Sequence, residues 1–183
     1  MKKAVKLGLA GLPNTGKTTL VKTLISTVRE KGKTVGGMLT ENIVEGVRKL
    51  GLEVVDVASG ERATFAHVEF GETHKNINFG LKLDVLEEVG IGAIKKAAEE
   101  CDLVVVDEVG PIQLESEEFC NAILELIKTN VAQILTIHKK SRHTVVQDIR
   151  KRDDMRILDV TPVNRLVLPY KIQQIMENEG FLS

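Results

Sequence analysis

Eight consecutive residues, Gly11-Leu12-Pro13-Asn14-Thr15-Gly16-Lys17-Thr18, satisfy G-x-x-x-x-G-K-[ST] at every fixed position, and a further threonine, Thr19, follows. The chemistry open to such a stretch is to cradle a polyanion. Backbone N–H groups must wrap phosphate oxygens closely, so the bounding positions favour glycine, which has no side chain to hold the backbone away. A helix starting at the lysine adds the positive end of its dipole. In that arrangement Lys17 reaches the β- and γ-phosphates and the Thr18 hydroxyl binds Mg²⁺. At ordinary residue frequencies the pattern arises by accident in fewer than about 1% of chains this long. A tight turn that merely carries a lysine is the weaker reading, and residues Gly11 to Thr19 are the expected nucleotide-binding residues.

A phosphate cradle still needs a carboxylate for its metal. The stretch "CDLVVVDEVGP" supplies one at Asp107, directly after the apolar run Leu103 to Val106. An acid at the end of a buried strand is placed to hold Mg²⁺ through water. Glu108 follows at once, and a second carboxylate beside the metal can accept a proton from water attacking the γ-phosphate. The bland alternative for Glu108 is a solvated loop charge. Lys17 and Glu108 are thus the expected catalytic pair, and Thr18 with Asp107 the expected metal side.

Other polar residues carry weaker signals. Arg142, Arg150 and Arg152 follow the strand-like "ILTIH", where an extra cation would help a transferring phosphoryl group, although a solvated helix face explains them as well. His138 ends that strand and either senses the γ-phosphate or makes a local hydrogen bond; the four histidines show no metal-binding spacing. Asn164 and Arg165, in "TPVNRLVLP", lie after the last strand, where doubly wound folds place ligand loops. They either contact the base or simply connect into the closing helix.

The elements that must position these residues follow from periodicity. Val5, Leu7 and Leu9 alternate into Gly11 as a first strand, and Leu20, Val21, Leu24, Ile25 and Val28 recur at helical spacing until Gly32. Short β-rich runs then predict an antiparallel meander over about 34–70 and a further strand at "NINFGLKL". Helix and strand alternate from there on: "DVLEEVGIGAIKKAAEE", "DLVVVDE", "SEEFCNAILELIK", "VAQILTIH", "HTVVQDIRKR", "RILDVT" and "PYKIQQIMENEG". Continuous apolar strands between helices imply an α/β fold, a mostly parallel sheet covered on both faces. The whole chain, 1–183, reads as one domain with a β-rich insertion over about 34–83.

Bulk properties narrow the function classes. The chain has 183 residues, 43% hydrophobic and 28% charged, with 25 Lys+Arg against 26 Asp+Glu. A net charge of -1 gives no electrostatic reason to expect nucleic acid or an acidic membrane, and one tyrosine with no tryptophan supplies few stacking platforms. Two cysteines without a CxxC pair do not suggest a disulfide scaffold. The N-terminal "MKKAVKLGLAGL" begins basic and turns apolar, but its apolar stretch is too short for a targeting signal and runs into the loop. A cytoplasmic location is expected, with no membrane partner; nothing requires an oligomer.

With both motifs placed, the chain resembles the P-loop nucleoside-triphosphatase family first described from hyperthermophiles, which has a human cancer-related member. The resemblance runs through "GLPNTGKTTL", "GGMLTE", "EGVRKLGLEVVDV", "DLVVVDEVGPIQLESEEF", "ILTIH", "IRKRDD" and "TPVNRLVLP". It implies a P-loop NTPase fold and Mg²⁺-dependent hydrolysis of the terminal phosphate of ATP, GTP and other nucleoside triphosphates, with low base specificity and water as the acceptor. It also marks Thr40-Glu41 and Arg48 as family positions in the insertion. The chain departs from the family at Gly37-Met38, where Gly-Phe is common, and at Asn164-Arg165-Leu166, where Asn-Arg-Asp is common. The competing readings are a nucleotide or small-molecule kinase using the same loop, and a nucleotide-dependent switch that binds a partner through the insertion.

Overall fold

The computed structural model describes residues 3–71, 73 and 77–182. Its strands are β1 (Lys6–Gly11), β2 (Val35–Glu45), β3 (Arg48–Asp56), β4 (Arg62–His67), β5 (Gly80–Leu81), β6 (Leu103–Val109), β7 (Ala132–His138) and β8 (Arg156–Asp159). Its helices are α1 (Lys17–Glu30), α2 (Leu83–Val85), α3 (Gly92–Glu100), α4 (Glu117–Leu126), α5 (Thr144–Lys151) and α6 (Leu168–Asn178). The eight strands make one sheet in the order β5-β4-β3-β2-β6-β7-β1-β8. The run from β2 to β8 is parallel, and the pairs β2–β3, β3–β4 and β4–β5 are antiparallel.

The apolar strands alternate their side chains between two cores. In β6, Leu103 and Val105 pack with Leu20, Leu24 and Val28 of α1 and Ile172 of α6. Val104 and Val106 pack on the other face with Ile94 of α3, Phe119 and Ile123 of α4, and Ile149 of α5. Burial on both faces is why this strand shows no polar alternation, as parallel strands between helix layers require. Helix starts follow local chemistry: Ser116 Oγ accepts the Phe119 N–H at 3.0 Å and caps α4, and Pro169 stands in the first turn of α6.

Three expectations need correction. The meander does not begin as a separate unit at residue 34, because Val35–Leu39 pair in parallel with Leu103–Asp107 and so belong to the parallel core. From Met38 to Glu45 the other edge of β2 pairs antiparallel with β3 in the same sheet, and the hairpin runs on past the last residue of β2 that pairs with β6. The strand expected at "NINFGLKL" shrinks to Gly80–Leu81, since Lys82 already turns its N–H to Phe65 O; Asn76 lies outside the described residues. The helix over 84–100 is interrupted by a π-helical segment, Leu86–Ile91, in which Gly90 lets Met38 of β2 approach closely. Cys101 and Cys120 are half-buried free thiols. Among the described residues no helix is long and apolar enough to cross a membrane.

Candidate nucleotide site

Parallel pairing puts the C-terminal ends of β1, β6, β7 and β8 along one edge, and the predicted site residues collect there. Between β1 and α1 the chain reverses through Asn14 and Gly16, both at positive φ. At Gly16, φ is 93°, a left-handed turn that glycine takes without strain, and it brings the first N–H groups of α1 to face the loop. Lys17 is buried and donates to Gly11 O at 3.0 Å and Leu12 O at 2.9 Å, while Thr15 Oγ1 donates to Leu12 O at 2.9 Å. The loop is thus folded around its own lysine.

Asp107 closes the site from below. It is 2% exposed, and both of its oxygens are engaged by hydroxyls: Thr18 donates to Oδ2 at 2.7 Å, and Thr136 of β7 donates to Oδ1 at 2.5 Å. Burial pushes the Asp107 carboxyl above its usual range; the Thr136 and Thr18 hydrogen bonds and the charges of Lys17 and Lys22 oppose that rise. Glu108 is also raised, by burial first and by the neighbouring Asp107 charge second, with Lys17 and Lys49 pulling the other way. The two adjacent acids therefore sit in different settings, one clamped by hydroxyls and one free of them. Among the described residues no cluster of three or more His, Cys, Asp or Glu forms. A cation here would take hard oxygen donors from one hydroxyl, one carboxylate and the ligand's phosphates, the donor set Mg²⁺ prefers.

The remaining sequence candidates divide. Arg165 is brought to the site: its Cδ would lie 3.1 Å from a Cβ on Gly16. It lines a groove of about 600 Å³ with Gly16, Thr19, Leu20, Leu166 and Tyr170. Asn164 is spent on its own turn, with Oδ1 accepting from Thr161 N at 2.9 Å and Nδ2 donating to Asp159 O at 2.8 Å. His138 lies across from Gly11 in the sheet, and its Nδ1 accepts the Lys140 N–H at 3.1 Å. Burial, then Lys17 and Lys140, hold its pKa below the ordinary histidine value. Arg142 is exposed on the segment between β7 and α5, at the same sheet edge. Arg150 instead braces that segment through Lys139 O at 2.8 Å, and Arg152 pairs with Asp154 at 2.7 Å.

In the insertion, Glu41 joins Lys22 of α1 to Arg62 of β4, a tether between α1 and the antiparallel strands. Arg48 stands near the hairpin tip with Lys49, beside a cavity of about 710 Å³ that Phe79 and Ile112 also line. Sequence reasoning missed Thr136 and Tyr170. Thr136 had a signal, as a hydroxyl inside the apolar run "ILTIH". Tyr170 had none beyond being the one tyrosine.

The sequence model of a family described as NTPase matches residues 6–173. The nucleoside-triphosphatase THEP1 of Methanothermobacter thermautotrophicus is 35% identical over 88% of this chain and 90% of that protein. The crystal structure of THEP1 from the hyperthermophile Aquifex aeolicus superposes with a TM-score of 0.79 at 28% identity, covering 94% of this chain and 99% of that one. The solution structure of a human cancer-related nucleoside triphosphatase superposes with a TM-score of 0.80 at 27% identity, over 96% and 98% of the two chains.

Proposed function

We propose, from the premise that this chain belongs to the NTPase family, that it hydrolyses the terminal phosphate of nucleoside triphosphates to diphosphate and inorganic phosphate, with Mg²⁺ and little preference for the base. The observation that carries the reading is the junction of Thr18 and Asp107, 2.7 Å apart, with Glu108 next in the chain. One residue of the phosphate loop and one strand-end acid already meet, and a second acid follows without a hydroxyl to occupy it.

Each group then has a task. The N–H groups that follow Gly16 bind the phosphate oxygens, and the Lys17 ammonium leaves its loop carbonyls to pair with the β- and γ-phosphates. Thr18 and Asp107 would hold Mg²⁺, which when bound neutralises charge gathering on the oxygens between those phosphates. Thr136 keeps Asp107 turned toward Thr18. Glu108 accepts the proton of the attacking water; its raised pKa makes it a better base than an exposed carboxylate. Donors fixed in advance at a developing charge are worth about 3–4 kcal/mol each in such sites.

The groove beside Gly16 would seat the sugar and base. Its lining joins apolar Leu20, Leu166, Pro169 and Tyr170 to polar Thr19, Thr23, Thr27, Arg165 and Gln173, with no carboxylate among the described residues. With an exposed aromatic ring for contact and no acid to select a ring N–H, this groove supports broad substrate use. The test is phosphate release from ATP, GTP, CTP and UTP with and without Mg²⁺. Release from all four that depends on the metal supports the reading. Nucleoside diphosphate formed only when a phosphate acceptor is added, with the phosphoryl group on the acceptor and no inorganic phosphate released, would favour a kinase.

A further inference from the structure

We infer that Gln113 is a positioning residue for the attacking water, acting together with Glu108; the inference rests on the hydrolase reading of Glu108. Gln113 begins a single 3₁₀ turn, Gln113–Glu115, just beyond β6. A glutamine usually keeps its amide in water, yet this one is 1% exposed. Its Nε2 donates to Thr40 Oγ1 at 3.0 Å. Thr40 follows Leu39, the residue of β2 that pairs with Asp107, so the amide is pinned to the strand next to the site.

That bond fixes where the other end of the amide points. Gln113 Oε1 is buried and has no hydrogen-bond partner among the described residues. A buried carbonyl left unpaired costs stability, and such a group at a functional site points to a ligand. Oε1 lies 2.8 Å from the point where a Cβ on Gly110 would stand, and Glu108 Oε1 lies 2.6 Å from the same point. Any side chain at Gly110 would be driven into both. On this reading a single water sits between the two oxygens and donates one hydrogen to each.

A water held in that way has one direction left. With both hydrogens committed, its lone pairs face away from the two acceptors, and the proposed role requires one of them to face the transferring phosphorus. As the water oxygen bonds to phosphorus, the bond from phosphorus to the diphosphate oxygen breaks and its electron pair leaves with the diphosphate. One proton passes to Glu108. The hydrogen on Gln113 is held through the step and stays with the product phosphate, so Gln113 neither gains nor loses a proton. The same geometry gives Thr40, a position marked in the sequence without a task, the role of orienting the amide.

The test compares Gln113→Met, of similar length but without the carbonyl, with Glu108→Gln and with the double variant. Gln113→Met is expected to lower kcat about 10- to 100-fold, the scale of a misplaced nucleophile. Its Kd for a non-hydrolysable triphosphate with Mg²⁺ should stay within about twofold of wild type, since ground-state binding is untouched. The double variant should turn over no more than about threefold slower than Glu108→Gln, because both act on one water. Wild-type turnover in Gln113→Met, loss of nucleotide binding in step with kcat, or independent multiplication of the two losses would each overturn the inference. If Gln113→Met does not fold, Thr40→Val read against Thr40→Ser decides: slow turnover in the valine variant with near-normal turnover in the serine variant supports it, and equal rates overturn it. Wild-type turnover in Glu108→Gln removes the hydrolase reading and this one with it. A slow Glu108→Gln beside an unaffected Gln113→Met removes only this one.

Discussion

Thr18 Oγ1 donates to Asp107 Oδ2 at 2.7 Å, joining the phosphate loop to the end of β6 across 89 positions of sequence. Thr136 fixes the opposite oxygen of the same carboxylate at 2.5 Å, so the acid has one orientation before any ligand arrives. Folding energy has thus already been spent on burying Asp107, and binding does not have to supply it.

Three substitutions separate the parts of this cradle. Lys17→Ala is expected to weaken triphosphate binding and to cut turnover by about 10²- to 10³-fold or more, since it removes a cation from the phosphates. Thr18→Ala and Asp107→Asn should shift the Mg²⁺ concentration for half-maximal rate upward by about tenfold or more while sparing metal-free nucleotide binding. Titrating Mg²⁺ at fixed ATP reads both effects.

Tyr170 is 71% exposed and lines the groove beside Gly16 with Leu166 and Pro169. An exposed aromatic contributes little to the core, so its replacement tests ligand contact with little effect on folding. Tyr170→Ala should raise KM about tenfold, and by similar factors for ATP, GTP, CTP and UTP, because stacking accepts every base. A change confined to one base would mean that the groove reads ring polarity.

The far end of β1 carries a buried ion pair that tests stability apart from catalysis. Lys6 Nζ donates to Asp154 Oδ2 at 2.9 Å and to Ile127 O at 2.9 Å, and the two side chains are 4% and 26% exposed. Arg152 grips the same carboxylate with two hydrogen bonds. Arg152 and then Lys6 hold the Asp154 carboxyl well below the usual range, against burial. Its folded pKa is therefore depressed. The stabilisation it gives is complete above the unfolded value of about 4 and is lost as pH falls through the folded one. Asp154→Asn should cost about 2–3 kcal/mol at pH 7 by stranding the Lys6 ammonium, somewhat less than a fully buried pair would. Urea melts of the two proteins should draw together as pH drops below about 4, and a gap independent of pH would contradict the assignment.

The parts of this molecule legible in its sequence are those fixed by short-range geometry. Gly16 and Lys17 announce the loop because a tight backbone cradle tolerates few residue types, and Leu103–Val106 announce a strand buried on both faces. The rest depended on partners that no local pattern names. Val35–Glu45 reads the same whether paired in parallel or antiparallel, and it does both, against β6 and then β3. Thr136 reaches Asp107 only because β7 lies beside β6. Asn164 reads from sequence either as a contact for the base or as a plain connection, and only the placed turn shows its amide bonded to Thr161 N and Asp159 O. Gln113 is an ordinary polar residue until Thr40 and Gly110 are placed around it.

The central claim is that Glu108 decides the fate of the bound nucleotide. The most direct measurement is Mg²⁺-dependent phosphate release by Glu108→Gln, paired with the Kd of a non-hydrolysable triphosphate. Turnover about 10²- to 10⁴-fold below wild type with unchanged Kd is the result this account predicts, the range expected when a positioned base is removed. Wild-type turnover in that variant would contradict it.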